Sequence, residues 1–154
     1  REARMKINGE RHPLPVAENG YLRLRRTWRP GDAVLLDLEM PVEQVEAHPA
    51  VAADAGRIAL QRGPLVYCVE EADNGPRLAH LRIPRKARLK AKRAPDLLGG
   101  VTVITGKAKR PEEGGESLYR PGPARRRKTP FTAIPYYAWD HRSPGEMAVW
   151  LPAD

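Results

Sequence analysis

The side chains from which an active centre would be built are few and scattered. Cys68 is the one cysteine, and His12, His48, His80 and His141 are the four histidines. A zinc site wants three or four Cys, His or carboxylate ligands at close spacing. These histidines stand far apart with no paired-ligand motif, so the sequence supports no metal site. A cysteine nucleophile needs a lowered pKa and a neighbouring base. Cys68 lies instead in the alternating run Leu65-Val-Tyr-Cys-Val-Glu70, where a lone cysteine behaves as a small buried hydrophobe. Glycoside hydrolysis asks for two carboxyls flanking the scissile bond. Asp32 follows Pro-Gly and reads as a turn residue, while Asp37 and Glu39 take the outward phase of their strand. No Gly-x-Gly-x-x-Gly, phosphate-binding Gly-rich loop with Lys, or Gly-x-Ser-x-Gly occurs. No residue of this chain is assigned a catalytic role.

The aromatic residues concentrate in Phe131-Thr-Ala-Ile-Pro-Tyr-Tyr-Ala-Trp-Asp140. On a regular strand Tyr137 and Trp139 share a face. Such a pair can stack on a sugar ring, which makes these two residues the substrate-binding candidates; capping a sandwich core is the commoner role of the same arrangement. Charge offers a second kind of ligand. Lys and Arg number 27 against 19 Asp and Glu, a net charge of +8, which favours association with anionic partners. The excess gathers in residues 85–93, with six cations and no acid, and in residues 125–128. Both runs fall between strand-like segments and neither contains an aromatic residue for base stacking. The reading is therefore a solvated basic face in preference to a nucleic-acid site.

The elements that position these residues are strands. Apolar residues alternate at period two in short runs bounded by Gly, Pro, Asn and Asp. Met5 to Gly9 reads as a strand entering a turn. Leu22 and Leu24 oppose Arg23 and Arg25, the Trp28-Arg-Pro-Gly-Asp32 turn comes next, and Val34, Leu36, Leu38 and Met40 resume the alternation, predicting a hairpin with one apolar face. Residues 49–55 predict at most one helical turn. Further strands are predicted at 57–61 and 65–70, with a bulge or sheet switch at Arg62-Gly-Pro64, then near 78–83, 87–89, 100–105, 131–139 and 146–151. Residues 111–128, rich in Pro, Gly, Glu and Arg, predict a long exposed loop. Eight or more short strands without a fixed repeat predict an all-β fold, a jelly-roll-like antiparallel β-sandwich, formed as a single domain over 1–154. About 150 residues bury roughly two thirds of the unfolded chain's surface without disulfides. No apolar run approaches the roughly 20 residues that cross a bilayer.

Several strings together resemble one known family. They are Gly20-Tyr21 leading to Trp28-x-Pro-Gly-Asp32, Ala59-Leu-Gln-Arg-Gly-Pro-Leu-Val-Tyr-Cys-Val-Glu70, Leu97-Leu-Gly-Gly-Val101, Ile134-Pro-Tyr-Tyr-Ala-Trp139 and Gly145-Glu-Met-Ala-Val-Trp-Leu-Pro152. The pattern resembles the C-terminal region of the β-L-arabinofuranosidases of glycoside hydrolase family 127. The resemblance implies a C-terminal fragment of a larger enzyme, in which a helical toroid carries a zinc-bound cysteine nucleophile and a glutamate acid/base. Nothing here matches those catalytic motifs, and Cys68 belongs to the strand pattern. No cofactor is expected in this chain; the zinc belongs to the catalytic domain of the parent. The implied role is a non-catalytic domain docking against that helical domain, with carbohydrate or a second copy of the chain as further partners. The alternatives are a carbohydrate-binding module using Tyr137 and Trp139, and a basic nucleic-acid-binding module.

Overall fold

The computed structural model describes residues 3–15, 17–112, 119 and 121–154. The chain divides into two compact units, Arg1–Met40 and Pro41–Asp154, in place of the single domain read from the sequence. The pairing of strands explains the division. In the first unit the strands β1 (Ala3–Ile7), β2 (Glu10–His12), β3 (Ala17–Glu18), β4 (Tyr21–Leu22) and β5 (Val34–Leu38) pair only among themselves, as the sheets β2-β1-β5 and β3-β4.

Asn8-Gly9 and Asn19-Gly20 join β1 to β2 and β3 to β4. All four residues have positive φ, the requirement of the two-residue turn whose twist matches antiparallel strands. The predicted hairpin of residues 20–27 with 34–40 does not form. The Trp28–Asp32 turn does, with Asp32 N–H donating to Arg29 O at 3.0 Å and Arg29 N–H to Asp32 Oδ2 at 2.9 Å. Beyond the turn, β5 is captured by β1. Asn8 Nδ2 donates to Asp32 Oδ1 and Asn8 Oδ1 accepts from Ala33 N–H, both at 2.8 Å. This clamp places Ile7 opposite Val34 and Ala3 opposite Leu38. Met5 and Ile7 are buried, whereas Val34, Leu36 and Leu38 are 46%, 44% and 56% exposed. The alternation marks an apolar face correctly, but forty residues do not enclose it.

The second unit contains β6 (Val42–Val45), β7 (Arg57–Arg62), β8 (Leu65–Glu70), β9 (Lys90–Ala94), β10 (Val101–Pro111), β11 (Arg126–Pro135), β12 (Met147–Ala148) and β13 (Leu151–Pro152). They pair antiparallel into one curled sheet of order β13-β7-β8-β11-β10-β9, with β6 on β7 and β12 on β8. This is the all-β antiparallel class that the alternation predicts. One short helix, α1 (Glu71–Asn74), comes directly after β8 and ends at Gly75, and single 3-10 turns occupy Ala52–Asp54, Leu78–His80 and Tyr136–Ala138. No helix among the described residues is long and apolar enough to cross a membrane.

Both faces of this sheet are buried, because successive side chains along a strand point to opposite sides. Tyr67 and Val69 of β8, Ile104 and Ala108 of β10, and Phe131 and Ala133 of β11 enter a larger core closed by Leu78, Leu81 and Ile83. Cys68, Val101, Val103 and Ile134 enter a smaller one, covered by Leu97, Leu98, Ala138 and Trp139.

Several boundaries differ from the sequence reading. Gly63-Pro64 is a plain two-residue turn, since Arg62 faces Leu65 and Gly63 takes φ +56°, and neither a bulge nor a sheet switch is present there. The strand expected at 78–83 is a 3-10 turn followed by bridges from Arg82 to Lys109 and from Ile83 to Ala153. The strand expected at 87–89 lies instead at Lys90–Ala94. The loop expected over 111–128 is shorter at both ends, because β10 runs through Pro111 and β11 begins at Arg126. Residues 113–118 and 120 of that segment lie outside the described residues.

Gly106 is the glycine that close approach demands. A Cβ there would sit 2.8 Å from Phe131 Cε1, 3.0 Å from Leu89 Cδ2 and 3.3 Å from Arg88 O. Gly→Ala in a strand ordinarily gains about 0.5–1 kcal/mol through backbone entropy. Here overpacking against a buried ring opposes it, at about 1–3 kcal/mol. Gly106→Ala is expected to lower the urea midpoint of the chain, and a raised midpoint would contradict the packing described.

Candidate functional site

Cys68 occupies the middle of β8 and is buried in the smaller core. Burial first, and then the charge of Glu70, pushes its thiol up to about 12. A thiol so placed is protonated at neutral pH and shielded from solvent, the opposite of a nucleophile's surroundings. The folded chain is expected to leave Cys68 unmodified by iodoacetamide at pH 8, with full alkylation after denaturation. Rapid labelling of the folded chain would contradict this. Among the described residues no three of His, Cys, Asp and Glu converge in a group able to hold a metal ion.

The carboxylates nearest Cys68 in sequence are locked. Glu70 is only 8% exposed. Arg142 holds it through Nε at 3.1 Å and through Nη2, and Asp140 N–H donates to its other oxygen at 3.0 Å. Arg142 also donates to both oxygens of Asp73, at 2.8 and 2.6 Å. These contacts, the Asp73 hydrogen bond foremost, hold the guanidinium more firmly protonated than usual against the opposing effect of burial. Glu146 ties the same region together by accepting from Arg77 N–H at 3.0 Å and Leu78 N–H at 2.7 Å. With their lone pairs engaged by Arg142, Glu70 and Asp73 staple residues 70–78 to residues 140–146.

Tyr137 and Trp139 do not share a strand face. β11 ends at Pro135 and the chain turns through Tyr136–Ala138. Trp139 stacks on Tyr136, with centroids 6.1 Å apart and planes inclined by 29°, and packs against the smaller core. Tyr137 points elsewhere, is 65% exposed, and lines a shallow depression with Leu98, Ala138 and His141. The extended alternation behind the pairing of Tyr137 with Trp139 breaks because Pro135 cannot donate to a ladder, and the next three residues wind up.

The two basic runs, by contrast, come together. They lie partly on strands, as Lys90–Ala94 and Arg126–Pro135, on either side of β10. Lys109 faces Lys128 across the β10–β11 ladder and Arg110 faces Arg127. Asp154 answers part of this charge, accepting from Lys109 Nζ and Arg126 Nη1, both at 2.5 Å. The Lys109 hydrogen bond, with Arg126 behind it, holds the Asp154 carboxyl below the usual range. A folded pKa below the unfolded value adds stability above roughly pH 4, which is lost as pH falls through the depressed value. Asp154→Asn is expected to flatten the acid limb of a urea-midpoint profile taken between pH 2 and 6.

An antiparallel unit whose thiol is sealed and whose Glu70 and Asp73 are engaged by Arg142 belongs to the class of all-β domains. Comparison with known proteins identifies which one. Residues 42–152 match the glycoside hydrolase family 127 C-terminal domain, and residues 1–40 match the GH127 middle domain of the β-L-arabinofuranosidases. The chain belongs to glycoside hydrolase family 127. The division at Met40 coincides with the boundary between the two matches.

A non-reducing end β-L-arabinofuranosidase of Bifidobacterium longum is 38% identical over 95% of this chain, which corresponds to 23% of that protein. The crystal structure of a GH127 β-L-arabinofuranosidase from Geobacillus stearothermophilus T6 superposes with a TM-score of 0.89 at 54% identity, covering 100% of this chain and 25% of that one. The GH127 β-arabinofuranosidase BT3674 gives a TM-score of 0.84 at 36% identity, covering 99% of this chain and 23% of that one. The chain thus spans about a quarter of the length of these relatives.

Proposed function

We propose that this chain is the non-catalytic β region of a β-L-arabinofuranosidase-like glycoside hydrolase, and that it docks against and supports the helical catalytic domain of the same protein. The observation that carries the reading is the match of residues 42–152 to the family's C-terminal domain. The chemistry of the side chains agrees with it. Cys68 is sealed in a core, and Glu70 and Asp73 are engaged by Arg142. The reaction is then carried by residues beyond this chain, and the zinc suspected in the parent belongs with them.

The test is hydrolysis of a chromogenic β-L-arabinofuranoside by the chain alone and by the complete protein that contains it. Release is expected from the complete protein and none from the chain alone. Turnover by the isolated chain would overturn the non-catalytic role. Undiminished activity and thermal stability of the complete protein after removal of residues 42–154 would overturn the supporting role.

A further inference from the structure

A groove of about 610 Å³ runs beneath residues 84–90, where they pass over Gly106 of β10. Its cations are Lys86, Arg88, Lys90, Lys107, Lys109 and Lys128, and no carboxylate among the described residues lines it. Lys109 is engaged by Asp154. The other five make no ion pair with the described residues, and all five are exposed. Pro84, Ala87, Pro130 and Phe131 supply its apolar surface. We propose that this groove binds a carboxylate-bearing oligosaccharide, a polyuronate-like chain, with its acid groups on the lysines and the C–H faces of its rings against the prolines and Ala87.

Three observations carry the proposal. The first is cost: Lys109 and Lys128 stand directly opposite on paired strands, and so do Arg110 and Arg127. Like charges so placed destabilise a ladder, and a polyanion in the groove relieves the Lys109–Lys128 pair, which Asp154 answers only on the Lys109 side. Arg110 already spends its guanidinium on the carbonyls of Asn74, Gly75, Pro76 and Arg77, at 2.7–3.4 Å. Among the described residues, the unanswered charge is therefore that of Lys86, Arg88, Lys90, Lys107 and Lys128.

The second observation is the absence of a stacking platform among the lining residues. Their aromatic member, Phe131, is 2% exposed. Single-stranded nucleic acid is held by exposed rings on which bases stack. A sugar acid needs only charge and an apolar surface for its C–H faces. The third is context: the chain belongs to a glycoside hydrolase family, which favours a saccharide among the polyanions that the charge would accept. The inference rests on that family membership and does not depend on docking.

The experiment titrates the chain, and the complete protein that contains it, with a hexamer of galacturonic acid, a neutral galactose hexamer and an oligothymidylate of equal charge. The acidic hexamer is expected to bind, with affinity falling about tenfold or more between 50 and 200 mM salt. The neutral hexamer is not expected to bind. Lys107→Glu with Lys128→Glu is expected to weaken binding about tenfold or more at a thermal midpoint that does not fall, since the reversed charge at position 128 faces Lys109. Lys86→Glu with Lys90→Glu should repeat the result from the other wall. Lys6→Glu, on the first unit, should leave it unaltered.

The proposal is overturned if the acidic hexamer does not bind, or if the neutral hexamer binds as well. Charge reversal without effect also overturns it, as does loss of binding in Tyr137→Ala with the lysine variants intact. Tighter binding of oligothymidylate than of the acidic sugar would assign the groove to nucleic acid instead. Arabinofuranosidase activity of the complete lysine variants separates the two readings. Retained turnover with lost binding leaves the docking role standing. Lost thermal stability on removal of 42–154, with binding by the chain intact, supports both.

Discussion

Arg142→Met is expected to cost about 3–5 kcal/mol of folding stability, because it strands a buried charge. Glu70 has left water, and the guanidinium supplies most of what replaces its hydration. Removing the cation leaves the carboxylate dependent on the Asp140 N–H. The double variant Glu70→Gln with Arg142→Met should therefore lie closer to the wild type than Arg142→Met alone. Its side-chain carbonyl still accepts from Asp140 N–H and no charge remains to be solvated. Urea unfolding of the four proteins of this cycle checks the claim, and equal losses in the single and double variants would show that the ion pair is not what holds residues 70–78 to 140–146.

Tyr67→Ala is the second large effect, at about 3–5 kcal/mol. Tyr67 lies where β8 is paired on both edges, facing Leu60 of β7 and Pro135 of β11. Its ring fills the larger core at 1% exposure and its hydroxyl donates to Thr102 O at 2.9 Å. Truncation opens a cavity that paired strands on both sides cannot collapse into. Tyr67→Phe separates the two contributions. It keeps the ring and removes the hydroxyl's hydrogen bonds, to Thr102 O and with Arg62, at about 1 kcal/mol each. The check is the difference between the denaturant midpoints of the two variants. If Tyr67→Phe cost as much as Tyr67→Ala, the hydroxyl contacts with Thr102 and Arg62 and not the packing of the ring would govern this part of the core.

Both residues belong to strings on which the family resemblance rests or lie beside one. Tyr67 ends Gln-Arg-Gly-Pro-Leu-Val-Tyr, and Arg142 lies between the Ile-Pro-Tyr-Tyr-Ala-Trp and Gly-Glu-Met-Ala-Val-Trp segments. Their roles in the structure are core packing and stapling.

The strand character of the chain was legible because alternation at period two is a local property. The runs 57–61 and 65–70 match β7 and β8 to within a residue. The Asn-Gly turn after Met5-Lys-Ile was legible for the same reason, since positive φ at Gly9 is a demand of the turn itself. Pairing partners were not. The residues after the Trp28–Asp32 turn join β1 through the Asn8 side chain, 24 positions from Asp32, a contact that no local pattern announces. The candidate pair Tyr137 and Trp139 failed as a shared face because Pro135 ends β11, and the indole then turns onto Tyr136.

By itself the sequence determined the class of fold, the burial of Cys68 within its strand, and the excess of positive charge. Each comes from residue type and spacing within a few positions. Only the tertiary structure decided where the chain divides and which acids face which cations. It also decided that residues 85–93 and 125–128 share one groove. These runs are more than thirty residues apart, and they meet because β10 pairs with β9 on one edge and β11 on the other. Local propensity sets the strand. The choice of neighbour is a global matter, settled by which ladder buries the most apolar surface while leaving the fewest polar groups unpaired.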